Sequence, residues 1–285
     1  MFALFQIDRE PKAGMVARKT PRLTARNADK HILYELSVQA PEVDARFFAR
    51  YYQKLNGRPL RVLREDFCGT AILSCFFVRL HRENRALGVD LDGSTLRWAR
   101  IHNISDLNED QRRRVRLIRG NVLAVRSPKA DLIAAMNFSY SVFKTRESFL
   151  RYMRNAYRAL KPRGVLCLDA WGGSDTQIQL KERRRQHGFI YFWDQADFDP
   201  VTHHILCKIH FEFPDGTRIR NAFVYDWRLW TLPEMREIMT EAGFRDVHVL
   251  WEGTERDTGK GNGAYRRVTR GGDEAAWIAY VVGRK

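Results

Sequence analysis

The chain has 285 residues, of which 44% are hydrophobic and 29% are charged. This composition is typical of globular proteins and excludes a wholly disordered chain. The longest apolar runs contain only a handful of residues, whereas a transmembrane helix needs about 20, so we expect no membrane span. No apolar segment of signal-peptide length lies near Met1, which favours a cytoplasmic location.

The formal net charge is +15. Such an excess favours an acidic partner, for example nucleic acid, an anionic lipid or an anionic metabolite. The basic residues comprise 38 Arg and 11 Lys, and the arginines are spread along the whole chain, a bias that a GC-rich genome also produces. The charge therefore leaves the question of a nucleic-acid partner open.

The first predicted elements are helical. Residues 1–30 contain seven basic residues and no sustained hydrophobic periodicity, so we interpret them as a basic arm. Apolar residues then recur at helical spacing over 31–39 and 42–55, which predicts two helices. Together these form an N-terminal helical cap over 31–59.

Short apolar strands alternate with helices from residue 60 onward. We predict strands at 60–63, 86–90, 115–118, 131–136 and 164–169, and helices at 71–80, 94–102 and 146–160. This alternation predicts an α/β fold with a doubly wound parallel sheet and helices on both faces. A further helix at 232–242 and strands at 247–251 and 277–282 complete a core made of 60–171 and 232–285.

The segment 172–231 interrupts this pattern. Cys207, Ile209, Phe211 and Phe213 alternate with polar residues and precede a turn at Asp215-Gly216, which predicts an inserted antiparallel β-hairpin. Across the turn we expect Ile219, Phe223 and Tyr225 to meet the apolar face. The hairpin would form a fixed wall over the substrate or a contact in a homodimer.

A Gly- and Arg-rich stretch at 253–272 predicts a mobile loop. Loops of this length in a compact domain are usually functional or disordered. Arg266 and Arg267 would bind an anionic part of the substrate, since arginine pairs well with carboxylate or phosphate. The alternative is a solvated surface loop.

The polar residues that follow the strands indicate the ligand. In open parallel sheets, ligands bind beyond the carboxyl ends of the strands, and an acidic residue after the second strand, here Asp90, can hold a ribose. The first loop has a single glycine, Gly69, where a dinucleotide site needs three. Glu65 and Asp66 bring carboxylates to the place of a diphosphate, which favours a nucleoside with a cationic amino group and no phosphate, such as S-adenosylmethionine.

The four cysteines form no C-x-x-C pair, which disfavours a disulfide scaffold or a zinc site and predicts free buried thiols. They are Cys68, Cys75, Cys167 and Cys207. No other residues have a convincing metal-ligand spacing.

At this point the sequence resembles the class I S-adenosylmethionine-dependent methyltransferases. The stretch 65–71 (EDFCGTA) is similar to their first motif, 88–90 (GVD) to their second, and Gly120-Asn121 to a Gly-Asp pair that contacts adenine. The stretches 63–71 (LREDFCGTA) and 137–140 (NFSY) resemble a little-described bacterial subgroup. Phe67 and Ala71 depart from the motif, which has glycine at both positions.

The resemblance implies a Rossmann-like sheet of about seven strands with the last one antiparallel, and S-adenosylmethionine as the cofactor. Glu65 and Gly69 would line the methionine end, Asp90 would hold the ribose, and Asn137 would touch the methionine end from the fourth strand. The full set of implied cofactor residues is Tyr34, Glu65, Gly69, Thr70, Asp90, Leu91, Asn121, Val122 and Asn137. Among these, Asn121 and Val122 would meet adenine, and Tyr34 would close over the cofactor.

The leading hypothesis is methyl transfer to a nitrogen or oxygen of a small molecule. Candidate substrate residues are Phe138, Tyr140, Trp171, Tyr225, Arg266 and Arg267, and no catalytic base is identified. One alternative is an RNA or protein methyltransferase that uses the basic arm and the Arg-rich loop. Another is a non-catalytic protein that binds the cofactor or a partner.

Overall fold

The computed structural model describes residues 22–255 and 261–285, so most of the predicted basic arm lies outside the described residues. In the part described, no helix is both long and apolar enough to cross a membrane. The helices are α1 (Lys30–Val38), α2 (Pro41–Asn56), α3 (Ile72–Leu80), α4 (Gly93–Ala99), α5 (Glu109–Arg113), α6 (Arg146–Ala159) and α7 (Leu232–Glu241). The strands are β1 (Val62–Asp66), β2 (Arg85–Asp90), β3 (Val115–Arg119), β4 (Ala130–Ala135), β5 (Leu160–Gly172), β6 (Leu180–Gln186), β7 (Phe189–Phe198), β8 (His204–Glu212), β9 (Arg218–Arg228), β10 (Arg245–Thr254), β11 (Gly261–Val268) and β12 (Trp277–Arg284).

The central sheet has eight strands in the order β11-β10-β12-β5-β4-β1-β2-β3. The strands from β5 to β3 are parallel to one another. Strand β12 runs antiparallel to both of its neighbours, β5 and β10. This arrangement confirms the predicted doubly wound α/β fold with its last strand antiparallel.

Apolar layers on both faces of the sheet explain why strands such as β4 and β12 are largely apolar. All six residues of β4 are buried. One face packs against α6 and α7, for example through Phe149 and Met239, and the other packs against α2 and α3, for example through Phe48 and Phe77. Strands covered on both faces need apolar side chains at successive positions, which is the pattern that the sequence shows.

The inserted segment forms a separate four-stranded antiparallel sheet in the order β6-β7-β8-β9, which we call the roof sheet. The predicted hairpin is its β8–β9 half, and the predicted pairs are confirmed: Cys207 lies opposite Tyr225, and Ile209 opposite Phe223. Strands β6 and β7 were not predicted. Strand β6 has the sequence LKERRRQ, which lacks the apolar alternation that identifies a strand.

The prediction of a long loop at 253–272 is wrong for 261–268, which form β11 at the edge of the central sheet. The glycines conceal this strand in the sequence, but backbone pairing with β10 and ring contacts of Tyr265 stabilise it. The Tyr265 ring lies 4.4 Å from that of Tyr280. Residues 256–260 of the predicted loop lie outside the described residues.

Helix α1 connects the two sheets at the carboxyl ends of the central strands. Its N-cap residue Asp29 accepts a hydrogen bond from Nε1 of Trp98 at 2.6 Å. Its Glu35 accepts one from Nδ2 of Asn103 at 2.7 Å, and the same amide group donates to the Thr70 carbonyl. On the other side, the Tyr34 ring lies 4.9 Å from that of Phe223 in the roof sheet. Helix α1 therefore covers the loop after β1.

Candidate active site

The loop after β1 has a tight backbone conformation. Phe67, Gly69 and Ala71 have φ values of 58°, 50° and 55°, in the left-handed region that favours glycine. Phe67 and Ala71 stand where the methyltransferase motif has glycine. Both nevertheless adopt the backbone conformation that glycine favours. Phe67 packs against the rings of Phe143 and Tyr152 at 5.9 and 5.8 Å, which stabilises the unusual backbone.

Glu65 occupies the N-terminus of α3. Its Oε2 accepts hydrogen bonds from the Ser74 amide at 3.1 Å and the Ser74 hydroxyl at 2.7 Å. A helix N-terminus is where dinucleotide-binding folds hold a diphosphate, and here a carboxylate of the chain already fills that position. The geometry therefore disfavours a phosphate ligand, as the sequence predicts for Glu65.

Asp66 does not face the site, contrary to the expectation that both acidic residues lie there. Successive side chains of a strand point to opposite faces, and Asp66 continues β1. Its carboxylate forms a fully buried ion pair with Arg64 at 2.7 Å and accepts a hydrogen bond from the Tyr152 hydroxyl. Asp66 is therefore a residue of the core.

Burial raises the pKa of the Glu65 carboxyl to about 8, although hydrogen bonds from Ser74 act in the opposite direction. A carboxyl whose folded-state pKa lies above its unfolded value contributes stability that is complete below about pH 4.5 and is lost as the pH rises through about 8. We therefore expect Glu65→Gln to stabilise the ligand-free protein relative to wild type at about pH 9 but not at about pH 5.

Urea unfolding at the two pH values measures this difference. The same substitution at the exposed Glu109 is the control and should give no pH-dependent change. A Glu65→Gln effect that is equal at both pH values would contradict the assignment of a raised pKa.

Asp90 holds the first loop at the end of β2. Its Oδ2 accepts a hydrogen bond from the Gly69 amide at 2.8 Å, and its Oδ1 accepts one from the Asp92 amide at 2.9 Å. The residue is partly exposed, and Leu91 beside it is 66% exposed. The carboxylate therefore has both a structural role in the loop and access to a ligand.

The residues predicted to meet adenine follow β3. Asn121 is exposed, and its Oδ1 accepts a hydrogen bond from the Leu123 amide at 2.9 Å. Val122 is buried, and its carbonyl accepts a hydrogen bond from Nδ2 of Asn155 at 2.7 Å. The side-chain oxygen of Asn121 therefore fixes the turn, and its side-chain NH₂ group remains available to donate to a ligand.

Asp169, which the sequence analysis missed, fixes the loop after β4. Its two carboxylate oxygens accept hydrogen bonds from the amides of Asn137 and Phe138 at 2.6 and 2.9 Å. Both donors have positive φ values, 58° and 56°, a conformation that asparagine tolerates and phenylalanine rarely adopts. Burial raises the pKa of Asp169 to about 8.

A cavity of about 70 Å³ lies between the two sheets and α1. One water needs roughly 10–15 Å³ by this measure, so the cavity has room for the head group of a small molecule. Aromatic side chains from the central sheet, the roof sheet and α1 line the cavity, and its charged lining residues are Asp169 and Arg184. The lining comprises Tyr34, Val38, Asn137, Phe138, Asp169, Trp171, Arg184, Tyr191, Trp193, Ile209, Tyr225, Trp227 and Ile278.

The structure brings some of the predicted substrate residues together and separates others. Phe138, Trp171 and Tyr225 line the cavity, as does Tyr34, which was predicted to cover the cofactor. Tyr140 does not line the cavity but is buried in the core, with its hydroxyl 3.5 Å from the sulfur of Met235.

The two predicted substrate arginines lie apart from the cavity. Arg266 and Arg267 are exposed on β11 and are not among the lining residues. Arg267 forms an ion pair with Asp246 at 2.8 Å. Nothing in their position places them over an anionic substrate group.

Residues 22–255 and 261–285 contain no group of three or more His, Cys, Asp or Glu side chains that could hold a metal ion. The four cysteines are free and buried, as predicted. Burial raises the pKa of each thiol, so none is activated as a nucleophile.

A comparison of the sequence with protein-family models indicates the same class of protein as the fold. Residues 66–168, from the end of β1 into β5, match the family model of a methyltransferase domain. The resemblance to the class I methyltransferases is thereby confirmed. No curated protein sequence matches the chain.

Several solved structures have the same architecture. An S-adenosylmethionine-dependent methyltransferase from Clostridium acetobutylicum is 16% identical with a TM-score of 0.63, over 89% of this chain and 96% of that chain. An amino pentose methyltransferase from Micromonospora echinaspora, solved with bound S-adenosylmethionine, has the same identity and TM-score over 90% and 96%. A sugar N-methyltransferase from Streptoalloteichus is 15% identical with a TM-score of 0.61, over 97% and 100%. At these identities the likeness establishes a shared fold.

Proposed function

We propose that this protein transfers the methyl group of S-adenosylmethionine to a nitrogen or oxygen of a small molecule held in the aromatic cavity. The observation that carries the proposal is the loop after β4. Asn137 lies at the carboxyl end of that strand, where class I folds place the cofactor, and Asn137 and Phe138 also line the cavity. One short loop therefore joins the expected cofactor position to an enclosed space for an acceptor.

The residues present fit this cofactor. Glu65 fills the position of a diphosphate, and the positive charge of a ligand with an ammonium and a sulfonium group would favour the ionised form of this carboxyl, whose pKa burial raises to about 8. Asp90 offers carboxylate oxygens to the ribose hydroxyls, and the Asn121 amide group is available to adenine. Glu65, Gly69 and Asn137 would surround the methionine end. When bound, S-adenosylmethionine supplies a methyl group that is already activated on sulfur.

The contribution of the chain to the reaction is alignment and exclusion of water. Asp169 fixes the loop of Asn137 and Phe138, and the roof sheet together with α1 closes the cavity around the acceptor. The proposed domain roles follow: 60–171 and 232–285 bind the cofactor, 31–59 covers it, and 172–231 encloses the substrate. The structural relatives named as sugar and amino pentose methyltransferases support a small acceptor, and a cytoplasmic location is consistent with this role.

Methylation of RNA is a second candidate, because the outer face of the roof sheet is basic. Cross-strand pairing places at least five basic residues on the face turned away from the cavity, together with acidic residues that include Asp194, Glu212 and Asp226. The basic residues include Lys181, Arg183, Arg185, Lys208 and Arg218. However, a polyanion bound there would lie on the far side of the sheet from the acceptor cavity.

A methyl-transfer assay distinguishes the two candidates. We expect the purified protein to transfer isotope-labelled methyl from S-adenosylmethionine to members of a panel of small amines and alcohols, and not to total RNA. Nucleic acid that copurifies should dissociate at moderate salt, since nonspecific phosphate contacts weaken steeply with ionic strength. Labelling of RNA alone would establish the second candidate, and labelling of neither would contradict both.

A further inference from the structure

We propose that the cavity is an ammonium site, so that the methyl acceptor is an amine whose cationic head group sits among aromatic rings beside Asp169. This inference rests on the proposed function for the identity of the acceptor. The binding preference itself follows from the cavity. Two features carry it: the arrangement of the rings and the position of the carboxylate.

The rings form a continuous wall on three sides. From the central sheet, Phe138 stacks on Trp171 with centroids 5.4 Å apart. Trp171 meets Trp193 of the roof sheet edge to face at 6.0 Å. Trp193 in turn lies 6.2 Å from Tyr225 and 6.4 Å from Trp227.

Helix α1 completes this wall. Tyr34 of α1 lines the cavity together with Tyr225 of the roof sheet, whose ring stacks on that of Trp227 with centroids 4.3 Å apart. The faces of tryptophan and tyrosine rings attract cations, and cages of such rings bind quaternary ammonium groups. The ring contacts fix the positions of these cavity-lining rings before any ligand binds.

Asp169 is the one carboxylate among the described lining residues. It is 6% exposed, and each of its oxygens accepts a single hydrogen bond from a backbone amide, that of Asn137 or of Phe138. A carboxylate oxygen has two lone pairs, so each oxygen retains one that can face a ligand. Burial raises the pKa of Asp169 to about 8 in the ligand-free protein, and a cation placed here favours the ionised carboxylate, which then attracts it from a fixed position next to Asn137.

Arg184 is the opposing charge, and it sets the orientation of the ligand. Its guanidinium lies over the Tyr191 ring at 4.5 Å, on the roof side of the cavity. An ammonium group beside Arg184 would be repelled, so the head group belongs at the Asp169 side. An acceptor with a polar or anionic tail would direct that tail toward Arg184.

The same geometry accounts for the proton of an amine acceptor. An ammonium has no lone pair, so one proton must leave before attack, and the Asp169 carboxylate is positioned to accept it. The nitrogen lone pair then forms the new bond to the methyl carbon, and the electrons of the breaking carbon–sulfur bond remain on sulfur as a neutral thioether. The product is a methylated ammonium, which the same rings bind.

A pair of probes tests the ammonium preference without knowledge of the substrate. Choline and its neutral isostere 3,3-dimethyl-1-butanol have the same shape and differ in charge. We expect titrations of the full chain, followed by tryptophan fluorescence, to show choline binding at least about tenfold more tightly, consistent with a desolvated cation–π contact plus a nearby carboxylate. Asp169→Asn should abolish most of this preference.

The matched control is Asp194→Asn, which removes a carboxylate from the outer face of the roof sheet and should leave the preference unchanged. If Asp169→Asn fails to fold, Trp193→Leu provides the second test and should weaken choline more than the isostere. Equal affinity for the two probes, or binding of neither, would overturn the inference. If the same preparation still binds S-adenosylhomocysteine in calorimetry, only the ammonium inference fails and the proposed function stands.

Discussion

Asp66→Ala is expected to destabilise the protein by about 3–5 kcal/mol, the usual cost of leaving one member of a buried ion pair without its partner. Asp66 and Arg64 are both fully buried, with Nε of Arg64 donating to Oδ1 of Asp66 at 2.7 Å. The Arg64 Nη2 makes no hydrogen bond in the described part of the chain. Removal of Asp66 would therefore leave a nearly unsolvated cation in the centre of the sheet. In a chain of this size the melting temperature should fall by on the order of 10 °C.

Two further variants separate the charge effect from lost packing. The double variant Arg64→Met/Asp66→Leu removes both charges and should recover most of the stability, because a buried ion pair is often no better than well-packed apolar residues. Glu109→Ala breaks the exposed pair of Glu109 with Arg113 and should cost less than about 1 kcal/mol. A double variant as unstable as Asp66→Ala would contradict the electrostatic explanation.

Asp90→Ala is expected to weaken S-adenosylmethionine binding at least about tenfold while the fold persists. Each charged hydrogen bond to a ribose hydroxyl contributes about 1.5–3 kcal/mol, and 1.4 kcal/mol corresponds to a factor of ten in affinity. The substitution also removes the contact from the Gly69 amide, which would loosen the loop around the ligand. Isothermal titration calorimetry measures the change directly.

Asp92→Ala is the matched control for this experiment. Asp92 lies two residues further along and caps α4 through the Ser94 amide at 2.8 Å. Its loss should lower stability by about 0.5–2 kcal/mol, as for other N-caps, with little change in affinity. If instead Asp90→Ala unfolds the protein and the folded fraction binds as wild type does, Asp90 is a structural residue and the ribose lies elsewhere.

The alternation of strands and helices made the central sheet predictable from the sequence. Strands such as β4 are buried on both faces and are therefore visible as mainly apolar runs, here Leu132–Ala135. Strands β6 and β11 were not predictable in this way. Strand β6 has charged residues in place of an apolar face. Strand β11 contains glycines and is stabilised by pairing with β10, and a pairing between distant segments leaves no pattern in the local sequence.

The site was predictable only in part because its geometry depends on the exact start of each strand. The sequence placed the end of β1 before Glu65, whereas the strand continues through Asp66. That shift of a few residues decides which of the two acids faces α3 and which enters the core. Asp169 was missed because it lies inside an apolar strand. The sequence does not show that its carboxylate accepts hydrogen bonds from Asn137 and Phe138, two residues with positive φ values in another part of the chain.

The central claim is that the site takes a nucleoside with a cationic amino acid end and rejects a dinucleotide. Calorimetric titration of the purified full chain with S-adenosylmethionine, S-adenosylhomocysteine and NAD tests this most directly. We expect micromolar dissociation constants for the first two, about −8 kcal/mol of binding free energy, and no measurable heat with NAD. Tight binding of NAD with no binding of either sulfur nucleoside would contradict the assignment of Glu65 and Asp90.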